Sequence, residues 1–308
     1  MPSSLWIANA PCSYGAFEDT VGVQAGLPQP REILDHIAVS GYDGTDLGPL
    51  GWLGEGDGLA EALVSRGLAL AGGYLELPFT EPDGMEEALG ELDRLLTFIE
   101  AVRAVADRGP PPRPTLADHG SPRRRANPGR AGTDRQLGLD DAGWKLLATN
   151  VTRALDRCLE RGFEATFHHH TTSHVEAPWE IDRLLELTDI GLCLDTGHLL
   201  VGGGDPLRAL RDWGDRINHL HLKDCRIDVI ETIVAERAPS DEVWRRHAFC
   251  RLGAGDLDIA GFLATASDVG VEGWLVVEQD GILDETWSVE DAFSDQAANR
   301  RYLRDRGL

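Results

Sequence analysis

Gly191-Leu192-Cys193-Leu194-Asp195-Thr196-Gly197-His198 and His219-Leu220-His221-Leu222-Lys223-Asp224 decide how this chain is read. Each is a short apolar run that closes on residues able to bind a metal ion. Between them, residues 206–213 read as an amphipathic helix. Strand, helix and strand in that order imply two parallel strands, because parallel neighbours need a crossover connection.

The same unit recurs outward. Residues 5–12, 44–48, 68–77, 113–118 and 165–169 on one side, and 274–278 on the other, complete eight strand candidates. Helices are expected over 30–39, 59–65, 85–106, 140–161, 179–187, 229–235, 240–247 and 289–304. Within 140–161, Leu147, Val151, Ala154, Leu155 and Cys158 fall at helical spacing. Eight strand–helix units in 308 residues predict an α/β fold of the (β/α)8 barrel type. A doubly wound open sheet is the rival. Against it, no glycine-rich G-x-G-x-x-G turn follows the first strand, and the polar candidates follow many strands instead of one switch point. We expect a single domain spanning 1–308, with insertions near 108–135 and 227–257. The first insertion contains Arg123-Arg124-Arg125 and reads either as a mobile loop or as a positively charged lid over the rim. The second contains Gly253-Ala254-Gly255-Asp256, a turn.

Composition narrows the function. The apolar fraction of 42% is ample for a core. A net charge of −23, from 52 acidic and 29 basic residues, repels nucleic acid and anionic membranes, so neither is expected as a partner. Five cysteines without clustered spacing make no disulfide framework. The N-terminus has no basic segment leading into a long apolar stretch, and no run reaches a membrane span, so a cytoplasmic setting is expected. Trp244 and Trp287 would mark an interface if the chain forms a homo-oligomer, and read equally well as buried residues.

In a barrel, Asp195, His221 and Glu278 close strands six, seven and eight, which are neighbours. Together they form a three-ligand arc for a divalent ion: Mn, Co or Zn, with Mg also admitted by the oxygen donors. The fourth ligand should come from strand five. His168 is the first choice, and Glu176, on the short loop that follows, is the second; the residues leave both open. Each has an ordinary alternative. Asp195 could simply cap the next helix, Glu278 could be solvated, and Lys223 could pair with Asp224. Their joint occurrence at successive strand ends favours a metal centre.

At these residues the chain resembles the xylose-isomerase-like TIM-barrel superfamily of sugar isomerases, epimerases and dehydratases, and within it most nearly the inosose dehydratases of inositol catabolism. The resemblance rests on Phe167-His168-His169-His170, Pro178-Trp179-Glu180-Ile181-Asp182-Arg183-Leu184, Leu194-Asp195-Thr196-Gly197-His198, Gly203-Gly204-Asp205-Pro206-Leu207, His219-Leu220-His221-Leu222-Lys223-Asp224 and Glu272-Gly273-Trp274-Leu275-Val276-Val277-Glu278. It covers about residues 160–280 well, and the first 110 only through Gly41-Tyr42-Asp43-Gly44-Thr45-Asp46-Leu47-Gly48. One departure stands out: Thr171-Thr172-Ser173 follow the three histidines where such dehydratases usually show Met-Gly-Thr.

The resemblance implies that Asp195, His221 and Glu278 bind the metal, with His168 in place of the superfamily's usual strand-five Glu. It implies a sugar or cyclitol substrate, a polyhydroxylated ketone such as an inosose. An enediolate would form as the α-proton leaves, followed by loss of water. His198 is the expected base, His170 the acid for the departing hydroxyl, and Lys223 an oxyanion binder or proton shuttle. Glu76, Trp6 and Asp224 are placed with the substrate-binding residues. A metal-dependent isomerase or epimerase is the alternative on the same scaffold. A non-catalytic sugar-binding protein is the alternative of another class, and it would not need so many acid–base groups at one rim.

Overall fold

In the computed structural model, which describes residues 5–105 and 108–308, the apolar runs become strands in chain order. These are β1 Leu5–Asn9, β2 Gly44–Asp46, β3 Ala69–Leu77, β4 Arg113–Asp118, β5 Thr166–His168, β6 Gly191–Asp195, β7 Ile217–Leu222, the short pair β8 Asp224–Cys225 and β9 Phe249–Cys250, and β10 Gly273–Val277. β8 and β9 form a separate antiparallel ribbon. The other eight are parallel and close into a barrel, with β10 returning to β1 so that Leu5 lies opposite Gly273 and Asn9 opposite Val277. The (β/α)8 architecture expected from the alternation is therefore the fold. Parallel strands covered by helices are buried on both faces, which is why they read as near-continuous apolar runs.

Helices sheathe the barrel at Pro30–Ser40, Gly56–Val64, Met85–Val105, Asp141–Glu160, Pro178–Leu187, Pro206–Trp213, Ile259–Asp268 and Val289–Arg304. Ala106, the expected end of the third, lies outside the described residues, as do residues 1–4 of the N-terminal stretch. Helix Ile259–Asp268 was not expected; it follows the second insertion and completes the unit between β7 and β10. No helix among the described residues is long and apolar enough to cross a membrane. All five cysteines are free.

The barrel interior is lined at mid-height by small side chains, Ala8, Ala10, Ala69 and Ala71, beside Val276. Its base is plugged by Trp6 and Trp274, whose rings meet edge to face at 5.8 Å. Trp274 Nε1 donates to Pro110 O at 3.0 Å. Trp6 thus sits at the N-terminal end of β1, the end opposite the strand termini where barrel sites are built. Its expected role against substrate is not supported by this position; it seals the floor.

The Arg-rich insertion is folded. Its helix Pro122–Arg125 turns Arg124 into the protein, 1% exposed, where the guanidinium grips Glu180 at 2.9 and 3.0 Å and Glu176 at 3.2 Å. The two insertions also touch, Ser240 N donating to Arg125 O at 2.8 Å. They form one structure over the C-terminal rim.

Candidate active site

Asp195 ends β6 and begins the helix Thr196–Val201. The helix-capping reading of it holds, and the same carboxylate also reaches inward. Oδ1 accepts from His198 N at 2.9 Å and caps the helix. That fixes the carboxylate so that Oδ2 turns inward, 3.2 Å from His168 Nε2 and 3.6 Å from His221 Nδ1. His169 Nε2 accepts from Asp195 N at 3.2 Å and steadies the same turn. Register places Asp195 opposite His221, and His221 opposite Val276 on β10. Strand alternation then brings Glu278, two residues on, to the same interior face.

His221 Nδ1 is 3.0 Å from Glu278 Oε2. Neither nitrogen of His221, nor His168 Nδ1, has a hydrogen-bond partner, although all are buried. One donor atom from each of Asp195, His221 and Glu278 lies within 4.8 Å of the others. Buried imidazole nitrogens left unmatched beside carboxylate oxygens fit a divalent ion of the Mn, Co or Zn group. Burial pushes His168 down to about 4, so its imidazole is neutral and can ligate at neutral pH.

Lys223 completes the electrostatics. Its ammonium lies 2.8 Å from Asp195, 2.8 Å from Glu278, 2.9 Å from Asp280 and 3.1 Å from His198 Nε2. Burial opposes the charge, but Asp195, Asp280 and Glu278 hold the lysine well above its usual range. Three carboxylates surround this one ammonium, so negative charge outnumbers it at the strand ends. Gly197 makes this approach possible, because a Cβ there would stand 2.7 Å from Lys223 Cβ. The sequence-based pairing of Lys223 with Asp224 does not occur. Asp280 was missed, although its spacing of two from Glu278 was a legible signal.

Two further histidines face the cavity. His198 has both nitrogens engaged, Nδ1 with Thr171 Oγ1 at 2.7 Å and Nε2 with Lys223. His170 bonds Thr172 Oγ1 through Nδ1 at 3.0 Å, and its Nε2 has no partner among the described residues. The two rings are 4.0 Å apart. Burial pushes both well below the usual histidine range, leaving them neutral. The cavity measures about 630 Å³ and is lined by His168, His170, His198, His221, Lys223 and Glu278, with Glu76 on its wall. Tyr74 donates to Glu76 at 2.8 Å. Both insertions roof it: Arg125 comes from the first and Trp244 from the second, the latter stacked on His170 at 6.1 Å.

Two expected residues lie elsewhere. Glu176 is locked by Arg124 and by Gly129 N at 3.0 Å, so the strand-five candidate in the cluster is His168. Asp224 is fully buried and accepts four backbone N–H groups, from Cys225, Leu257, Gly253 and Gly255. It organises the second insertion and has no oxygen left for a ligand.

The family described as xylose isomerase-like TIM barrel matches residues 34–298. The inosose dehydratase of Geobacillus kaustophilus (strain HTA426) is 32% identical over 251 residues, covering 80% of this chain and 79% of that protein. Among solved structures, the IOLI protein with a binding zinc atom superposes with a TM-score of 0.70 at 13% identity, over 99% of each chain. D-allulose 3-epimerase from Methylomonas sp., in complex with D-allulose, superposes with a TM-score of 0.66 at 15% identity, over 100% of this chain and 98% of that one. At such identities the structural likenesses speak for the fold.

Proposed function

Because the chain belongs to the xylose isomerase-like TIM-barrel family, we propose that it is a metal-dependent dehydratase of a polyhydroxylated ketone such as an inosose. The observation that carries this is the convergence of Asp195, His221 and Glu278, with His168 beside them, at neighbouring strand ends under a cavity that also presents free acid–base groups. The inosose dehydratase relative supports the substrate class.

His168, Asp195, His221 and Glu278 would hold the divalent ion, which would supply Lewis acidity toward the substrate ketone when bound. The chain's own residues do the rest. His170 is neutral and has Nε2 free, so it takes the proton α to the ketone. In this reading the base is His170 instead of His198, whose Nε2 lone pair is held by Lys223. The C–H electrons form the new double bond as the β C–O bond breaks. The departing oxygen takes the proton from His170 and leaves as water, so one histidine serves as base and then acid. Lys223 holds negative charge that develops on substrate oxygen, and its carboxylate neighbours hold the ammonium in place. Trp244 offers an apolar wall to ring C–H groups, and Glu76 accepts from hydroxyls.

The test is turnover of a panel of inososes and keto-sugars by chelated protein, before and after addition of Mn²⁺, Co²⁺ or Zn²⁺, with products followed by mass. Metal-dependent loss of one water supports the proposal. Full turnover without metal refutes it. A product of unchanged mass would identify an isomerase or epimerase, the second reading, which the same cluster of carboxylates and imidazoles would serve. Binding without turnover would indicate a non-catalytic sugar-binding protein.

A further inference from the structure

Deeper in the barrel lies a set of donors that the proposed reaction does not use. Asp46 ends β2, and His219 lies two residues before His221 on β7. One donor atom from each of Asp46, His219 and His221 falls within 4.8 Å of the others, and all three residues are buried. Asp46 Oδ1 accepts from Leu47 N at 2.6 Å, but Oδ2 has no partner. His219 is fully buried with neither nitrogen matched. A buried imidazole with neither nitrogen paired to the protein is rare, because each unmatched atom costs free energy unless something binds it.

The backbone is shaped to this arrangement. The pairing of β2 with β3 shifts register between Thr45 and Asp46, which sets Asp46 opposite Gly72. Gly72 has no side chain to fill the interior beside it. The place its Cβ would take is 2.6 Å from Arg113 O, 3.2 Å from Asp46 Oδ2 and 3.3 Å from Thr115 Oγ1, so only glycine leaves these oxygens their positions. Oxygen donors therefore converge where a side chain is missing. Asp46 also lines the main cavity, which gives an entry path.

We propose that Asp46 and His219 hold a second divalent transition-metal ion beneath the first, with His221 bordering both positions and Arg113 O and Thr115 Oγ1 the further oxygens grouped beside Gly72. Carboxylate oxygen with neutral imidazole nitrogen is a donor set for zinc, manganese or cobalt.

The test is the metal content of the full chain, loaded with Zn²⁺ or Mn²⁺, dialysed and measured by plasma mass spectrometry, beside Asp46→Asn, His219→Leu and Asp195→Asn. Two equivalents are expected in the wild type. Asp46→Asn and His219→Leu should each keep one, at the outer cluster, and Asp195→Asn should lose that one. Manganese-loaded wild type should give a spin-coupled electron paramagnetic resonance spectrum that the two inner variants lose. One equivalent in the wild type, or two retained in His219→Leu, overturns this proposal and leaves the dehydratase reading standing. No metal in the wild type overturns both. If the inner variants do not fold, the wild-type stoichiometry and spectrum decide, and an uncoupled single-site signal overturns the second ion.

Discussion

Replacing Asp224 with Asn changes one atom, and its cost can be worked from the structure. Oδ1 accepts from Cys225 N at 2.9 Å and Leu257 N at 3.1 Å, and Oδ2 accepts from Gly253 N at 2.8 Å and Gly255 N at 3.0 Å. Asn keeps one oxygen and turns an NH2 toward two donors, so two charge-assisted bonds are lost. Each is worth roughly 1.5–3 kcal/mol, giving about 3–6 kcal/mol in all. That is a large share of the roughly 5–15 kcal/mol that holds a typical protein folded. The segment has little room to adjust, since even a Cβ on Gly255 would stand 2.4 Å from Asp224 Oδ1. Urea denaturation followed by tryptophan fluorescence measures the loss, and steady-state kinetics on the folded variant measure the site. We expect the full destabilisation with kcat and KM changed by less than about tenfold. A stability change within about 0.5 kcal/mol, the range of ordinary surface substitutions, together with a large rise in KM, would mean that Asp224 touches substrate and that the structural role is wrong.

Arg124→Met should strand the buried carboxylates of Glu176 and Glu180 and cost about 3–5 kcal/mol. Metal content should not change; a loss of metal would return Glu176 to the ligand set. His170→Ala should lower kcat by about 10²–10⁴ while leaving bound metal intact, and an unchanged kcat removes His170 from proton transfer. Acid should weaken the fold through His169, which burial pushes down to about 3. An unfolded histidine titrates near ~6.5. Below that pH the unfolded chain binds a proton that the native state refuses. The stability is present above pH ~6.5 and is lost as pH falls toward 3, by at most about 1.4 kcal/mol per pH unit per histidine. Denaturation midpoints at pH 7 and pH 5 check the sign, and equal or higher stability at pH 5 contradicts it.

Much of the barrel was legible because its strands are buried on both faces and its ligand candidates stand at strand ends. Asp195, His221 and Glu278 could be read from the position of each after an apolar run. What escaped depends on the approach of segments distant in sequence. Arg124 looks like one of three solvated arginines until the insertion folds and delivers it to Glu176 and Glu180. Asp224 looks like a neighbour for Lys223 until Gly253, Gly255 and Leu257 return to it. Trp6 has the composition of a sugar platform, but its place at the start of β1 puts it at the barrel floor beside Trp274. Strand direction alone carried that last signal. Asp46 was hidden for another reason: β2 is only three residues long, too short to show a period, and a register shift places its final side chain.

The proposed chemistry needs one cation bound at the ends of β5, β6, β7 and β10. An anomalous difference map from zinc-loaded crystals, recorded at the zinc absorption edge, tests this most directly. The expected result is a peak at bonding distance, about 2.0–2.2 Å from nitrogen and oxygen donors, from Asp195, His221 and Glu278. A map with no peak among those three side chains, in protein that turns over its substrate, would contradict it.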